Sequence, residues 1–196
     1  MSSPGLRELK KQKTRWAIQE HALRLIAQQG YDATTVEQIA AAAEISQSTF
    51  FRYFKTKEDV IVEDEYDPLM VELFTAVPPS SAPLPALRQV LRHAFAQMDA
   101  AEMQKILTRT KLIMSVPALR ARSFENLDNT IRLIAEAVRS RMGRPVDDFA
   151  AHTFAGACIG AMLPAIFTWV ESDGKKDLAE LTDRALALLE SGLRLE

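Results

Sequence analysis

The chain has 196 residues, 47% hydrophobic and 26% charged, with a net charge of −2. That balance is the ordinary globular one, so it excludes a disordered chain and fits one domain, or a small domain joined to a larger. The single cysteine, Cys158, rules out an internal disulfide, and MSSPGLRELKKQKTRW is followed by no apolar run, which reads as a cytoplasmic protein without a secretory leader. Charge is uneven along the chain. Residues 1–57 hold nine Lys/Arg against five Asp/Glu, or +4, while the remainder holds 15 against 21, or −6. A basic end on an acidic body suggests a nucleic-acid-facing N-terminus.

In chain order, Ile18, Ala22, Leu25 and Ile26 mark one stripe of an amphipathic helix, which Gly30 stops. Thr34 or Thr35 can cap a second, short helix through VEQIAAAAE, with Val36, Ile39, Ala40 and Ala43 on its apolar face. Glu44-Ile45-Ser46 is a turn, and Ser46 can cap a third helix from Gln47 to Tyr53. Three short helices with a tight turn between the second and third make a helix-turn-helix. A fourth helix begins beyond Thr56, and Pro68 is expected to end or kink it. VPPSSAPLP, 77–85, is a linker-like loop. Amphipathic segments follow at 84–101, 103–115, 118–142, 147–171 and 177–194, with no strand alternation or repeat. The expected fold is all-α: a helix-turn-helix domain at 1–56 with a basic N-terminal arm, and a larger helical domain at 57–196.

The stretch SQSTFFRYFKTKED, 46–59, sets three phenylalanines and a tyrosine among small hydroxyls and cations. On a helix from Gln47, Phe50 and Phe54 share a face and are expected to bury with Ile45 against Ile18, Ala22 and Ile39. Gln47, Ser48, Phe51 and Arg52 then look outward, with Ser46 at the helix start and Thr49 and Tyr53 at the borders. Such a surface suits double-stranded DNA. A helix fits the major groove, a glutamine amide reads a base edge, and hydroxyls and lysines such as Lys57 hold phosphates.

At these residues the chain resembles a known family. GYDATTVEQIAAAAEISQSTFFRYFKTKEDV is similar to the DNA-binding domain of TetR-family transcriptional regulators. The resemblance rests on Gly30-Tyr31, Thr34-Thr35, Ile39-Ala40, Ile45-Ser46, Thr49, Phe50-Phe51, Tyr53-Phe54 and Lys57-Glu58. It implies a homodimer that binds a palindromic operator, and a helical C-terminal domain with a pocket for a small-molecule effector whose entry shifts the DNA heads apart. It also implies that Thr35, Gln47, Ser48, Thr49, Phe51, Tyr53 and Lys57 touch DNA. Two positions depart from the pattern. Glu44 stands where a turn glycine is usual, so the turn adopts another conformation or bears strain, and Phe51 lacks the hydroxyl of the common tyrosine.

Pocket candidates are Met70, Phe74, Phe95, Met98, Met103, Ile106, Met114, Phe124, Phe154 and Met162. Each is equally at home in a plain core, but flexible thioethers suit an adaptable cavity for a hydrophobic or amphipathic ligand. Arg109, His93 and His152 could orient a polar group. FAAHTFAGACIGAMLPAIFTWV, 149–170, is apolar enough for a membrane span, yet His152, Thr153 and Pro164 favour a buried helix or a dimer seam. Gly156 and Gly160 allow close helix approach, either across a dimer or inside one subunit. In the family the last two long helices form the dimer contact, which places Gly156, Gly160, Leu163 and Phe167 there. No GxSxG, HExxH, P-loop or CxxC spacing occurs, so no enzyme, metal or cofactor is expected. The expected function is a ligand-responsive repressor. The rival is a helical carrier whose helix-turn-helix has lost DNA activity, motivated by Glu44 and Phe51.

Overall fold

The computed structural model describes residues 6–63, 66–142 and 147–194, and among these there is no strand. Among the described residues ten helices follow one another: α1 Leu6–Gln29, α2 Val36–Ala42, α3 Gln47–Tyr53, α4 Lys57–Val62, α5 Tyr66–Ala76, α6 Pro83–Gln97, α7 Ala100–Ser115, α8 Pro117–Met142, α9 Asp148–Glu171 and α10 Leu178–Glu190. Pro68 falls in the first turn of α5 rather than at the end of a helix. A first-turn N–H has no partner inside the helix, so proline is tolerated there.

The chain forms two compact units, residues 1–63 with 112–123, and residues 64–111 with 124–196. The first compact unit thus takes in α4 as far as Glu63 and a stretch from α7 and α8. The reason is burial. Val60 and Ile61 of α4 and Leu119 of α8 share one core with Ile18, Ala22, Ile39, Phe50 and Phe54. Phe50 and Phe54 are 0% and 1% exposed, and each contributes about 2–3 kcal/mol by leaving water. Asp59, also buried, accepts from Arg122 Nε at 2.7 Å and from the Thr56 N–H at 3.0 Å, which pins the start of α8 to α4.

In the second unit α9 packs on α10, and α6 on both α5 and α10. Phe74, Leu87, Val90, Val138, Cys158 and Leu186 make one core, and Leu107, Trp169 and Leu178 a second. Arg88 of α6 forks onto Asp183 of α10 at 2.9 and 3.0 Å and also pairs with Glu190. That guanidinium holds the Asp183 carboxyl below the usual carboxylate range.

Arg141 of α8 is 6% exposed, yet among the described residues its partners are carbonyls rather than a carboxylate. Its guanidinium donates to the carbonyls of Phe74 at 3.1 Å, Pro78 at 2.7 Å and Ser81 at 2.9 Å, and to Val77. It thereby satisfies a carbonyl left open at the end of α5 and fixes the loop that follows. Arg141→Met should destabilise the protein by about 3 kcal/mol, because the carbonyls lose their donor while still buried. Urea unfolding tests this; a loss below about 1 kcal/mol would mean the loop keeps its course unaided.

Candidate nucleic-acid interface and effector cavity

Local chemistry builds the first unit's outer face. Thr35 caps α2 in a reciprocal box, accepting from the Gln38 N–H at 3.3 Å while Gln38 Oε1 accepts from the Thr35 N–H at 2.9 Å. Thr34, the other candidate cap, is buried and donates to the Gly30 carbonyl. The end of α2 is closed by two bonds, Glu44 N–H to Ala41 O at 3.1 Å and Ile45 N–H to Ala40 O at 3.0 Å. This closure needs a left-handed residue between them, and Glu44 supplies it at φ 55°. The glycine-free turn thus keeps the glycine conformation and bears its strain.

Ser46 starts α3, accepting from the Thr49 N–H at 3.1 Å, and its hydroxyl also bonds those of Ser48 and Thr49. Gln47, Ser48, Phe51 and Arg52 are exposed, and Thr49 and Tyr53 are half-buried. The Phe51 ring is 51% exposed and rests edge-on against buried Phe50, which fixes its direction. The Arg52 guanidinium lies 5.6 Å from the Tyr53 ring centre. Thr35 is exposed beside this surface.

Lys57 is placed differently from the sequence expectation of a purely phosphate-facing lysine. Its Nζ donates to the carbonyls of Tyr31 at 2.9 Å and Thr34 at 3.0 Å and sits 3.9 Å from the Tyr31 ring centre. The Tyr31 hydroxyl in turn donates to Glu58. Burial pushes the Glu58 carboxyl up, but the Tyr31 hydroxyl, backbone N–H, Thr56 and Lys57 outweigh it and hold it low. Burial, then the Glu58 carboxylate, raises the Tyr31 phenol. Together these contacts brace the start of α4 against the loop between α1 and α2.

Two apolar cavities lie among the described residues of the second unit. One, of about 140 Å³, is lined by Met70, Phe74, Leu133, Ile134 and Phe154 among others. The other, of about 240 Å³, is lined by Phe95, Met98, Ile106, Trp169 and the polar Arg109, Thr110 and Thr182. Met70, Leu91 and Met162 line both. Three apolar candidates, Phe124, Met114 and Met103, line neither. Phe124 is 79% exposed on α8, and Met114 lies in the α7 stretch that belongs to the first unit. Apolar character predicted a lining role for both, but helix direction sends them elsewhere. Met103 packs beside Leu107 and Trp169, and neither His93 nor His152 reaches a cavity.

α9 is long and apolar enough to cross a membrane by length and composition, and only 28% of its most apolar window is buried. Exposed Phe149, Thr153, Gly160, Leu163 and Phe167 fall on one line with half-buried Gly156, alternately four and three apart, and exposed Ala150, Ala157 and Pro164 flank it. Among the described residues, no atom beyond the helix's own backbone and the chain neighbours lies within 4 Å of where a Cβ would stand on Gly156 or Gly160, so no other element packs closely on these glycines.

A capped, outward-facing second helix after a tight turn, on the same chain as a helical body with apolar cavities, defines a helix-turn-helix regulator. The tetR-family model of bacterial regulatory proteins matches residues 18–63, and the MftR C-terminal domain model matches residues 81–194. The transcriptional regulator TcmR of Streptomyces glaucescens is 30% identical over 154 residues, which cover 75% of this chain and 68% of TcmR. The fatty acid metabolism regulator protein of Bacillus subtilis is 25% identical over 183 residues, covering 90% and 93%. The solved fatty acid degradation regulator FadR of Bacillus halodurans is 25% identical, with a TM-score of 0.59 over 98% of this chain and 99% of that one. The chain belongs to the TetR family: it is a DNA-binding transcriptional regulator.

Sequence reasoning missed Asp59, Arg122 and Arg141. A threonine three residues before an acid, Thr56 to Asp59, is a readable cap signal. The two arginines reach their partners across sixty or more residues and leave no local trace. Because Glu44 holds a left-handed conformation at its own expense, Glu44→Gly should stabilise the protein by about 0.5–1 kcal/mol after the glycine's extra unfolded-state freedom is counted. The check is a higher urea midpoint at unchanged slope. A lower midpoint would show that the Glu44 side chain supplies a contact worth more than the strain.

Proposed function

We propose that this regulator is a cytoplasmic homodimeric repressor, without enzymatic activity of its own, that leaves a palindromic operator when a hydrophobic or amphipathic small molecule enters its helical body. The observation that carries the reading is one chain holding both an outward α3 surface of amide, hydroxyls and cations and an apolar cavity of about 240 Å³ edged by Arg109. Amphipathic effectors suit that lining: apolar walls take a chain or ring system, and a guanidinium meets an acceptor or anionic head. The fatty-acid roles of the two regulators from bacilli support the same class.

In this reading α3 lies in the major groove, with Gln47 at its start facing a base edge and Ser48, Thr49, Phe51, Arg52 and Tyr53 completing the contact. Thr35 meets phosphate beside it. Ser46 serves mainly as the cap of α3, and Lys57, with two of its donors committed inside the fold, mainly steadies the head. The carrier alternative drew on Glu44 and Phe51. The turn nonetheless closes with its full pair of bonds, and Phe51 is held in the outward face. α7 contributes Ile106, Arg109 and Thr110 to a cavity and Leu112 and Ile113 to the first unit's core, which suits a switch biased by ligand.

The open line of α9 has the alternating spacing of a helix-helix seam, and a partner copy of α9 and α10 is its natural cover. Gly160→Leu should therefore weaken dimerisation by about tenfold or more in Kd through overpacking. Sedimentation velocity at low micromolar concentration reads this, and an unchanged dimer would place the seam elsewhere.

The function itself is tested on duplexes selected from a random library by the full-length protein. Recovered sequences should be inverted repeats, and Gln47→Ala should relax preference at one position of each half-site, at about 1–3 kcal/mol on the best sequence. Saturated and unsaturated fatty acids and their thioesters should raise thermal stability and lower operator affinity together. Binding without any loss of operator affinity would refute the switch. Failure to select any duplex would favour the carrier.

A further inference from the structure

The first helix runs well beyond the core it serves. Its buried stripe begins at Ile18, and the family match begins at residue 18 as well, yet α1 starts at Leu6. That leaves about three turns outside the common domain. Lys10, Lys11, Gln12, Lys13 and Trp16 are all exposed there. Among its described side chains, none before Ile18 is buried.

Its direction is set by Arg15. The guanidinium donates to the carbonyl of Tyr53, the last residue of α3, at 3.3 Å, lies 4.4 Å from the Phe54 ring centre and pairs with Glu63. The extension therefore leaves the domain beside the C-terminal end of α3, near the exposed Arg52 and Lys55. Lys11 stands four residues before Arg15, on the line that the buried stripe would continue, so the inward line turns from apolar to cationic where the core stops. At a rise of about 1.5 Å per residue, Lys11 and Lys10 lie about 6 and 8 Å beyond Arg15 along the axis. That is a reach of about two further nucleotides at about 3.4 Å of axial rise per strand.

Among the described residues the charge has no acidic partner. Lys10 and Lys13 are three apart and Lys11 and Arg15 four apart, spacings at which like charges weaken a helix. Among the described residues, no carboxylate pairs with Lys10, Lys11 or Lys13. Lys10, Lys11 and Lys13 share one half of the helix circumference, while Gln12 and Trp16 take the other. A one-sided cationic rod beside a recognition helix is matched by a polyanion that continues past the bases being read.

We propose that Lys10, Lys11 and Lys13 form a second DNA surface, which grips backbone phosphates outside the segment read by α3 and lengthens the footprint of each head. The proposal rests on the DNA-binding role of α3. It adds affinity and salt dependence without adding sequence preference, because phosphate is the same beside every base.

The test compares the wild type with K10Q/K11Q/K13Q, both full-length, on a library-selected duplex with long flanks and on the same duplex trimmed to its half-sites. On the flanked duplex the variant should bind about 10- to 100-fold more weakly near physiological salt. Its plot of log affinity against log salt should be shallower by about two to four units for a dimer. On the trimmed duplex the two proteins should converge, and point variants of the half-sites should rank identically. K10R/K11R/K13R should restore the wild-type slope, which separates charge from folding. Equal slopes on the flanked duplex, or a deficit that persists in full on the trimmed one, would overturn the proposal. A wild type that selects no duplex would overturn the underlying DNA reading, and the proposal with it.

Discussion

Helices of six and seven residues do not hold themselves together in water, and α2, α3 and α4 are all of that length. The reading head exists only because α1 offers Ile18, Ala22 and Ile26 as a common wall, against which Ile39, Phe50, Phe54, Val60 and Ile61 bury. Everything displayed on the outer face of α3 follows from that burial. Phe50 and Phe54 fix the rotation of the helix, and rotation decides that Gln47, Ser48, Phe51 and Arg52 meet solvent. Caps then set where each short helix begins, at Thr35, Ser46 and Thr56. Specific recognition is thus built on nonspecific packing, with the hydrogen bonds deciding register.

Much of this head was legible in the residues alone. Thr35 and Ser46 cap as their positions suggest, and the four-residue spacing of Phe50 and Phe54 puts both in the core. Such signals are local, so a sequence carries them directly. Lys57 shows where that stops. Its charge suggested phosphate, whereas the fold brings two carbonyls and a ring to its ammonium. Position in sequence gives a side chain's chemistry but not its competitors. Phe124 and Met114 show the same limit in the body, since periodicity says that a face is apolar without saying what covers it. The α9 line was readable as a helix of small and large apolar residues, yet only the empty space around Gly156 and Gly160 decides between internal packing and an open face.

The body follows a different rule from the head. Its helices are long, and its cavities are bounded by Met70, Leu91 and Met162, side chains that adjust at little cost. Such a wall can reshape around a guest while the Arg88 fork to Asp183 keeps α6 and α10 together. A rigid reading surface and a compliant cavity are compatible on one chain because they draw on separate cores.

The way Arg141 holds the loop after α5 bears on how the protein can diversify. Apart from stacking near the Phe74 ring, the guanidinium meets residues 74–81 through carbonyl oxygens alone. Every amino acid carries the same carbonyl, so the clamp specifies the path of the chain and is blind to its spelling. Pro78, Pro79, Ser80 and Ser81 can drift over generations so long as the length of the loop is kept. A lysine in place of the arginine would not do, since one ammonium cannot present a planar fork to so many acceptors. The constraint on this stretch thus sits in one arginine sixty or more residues away, and not in the side chains of the loop itself.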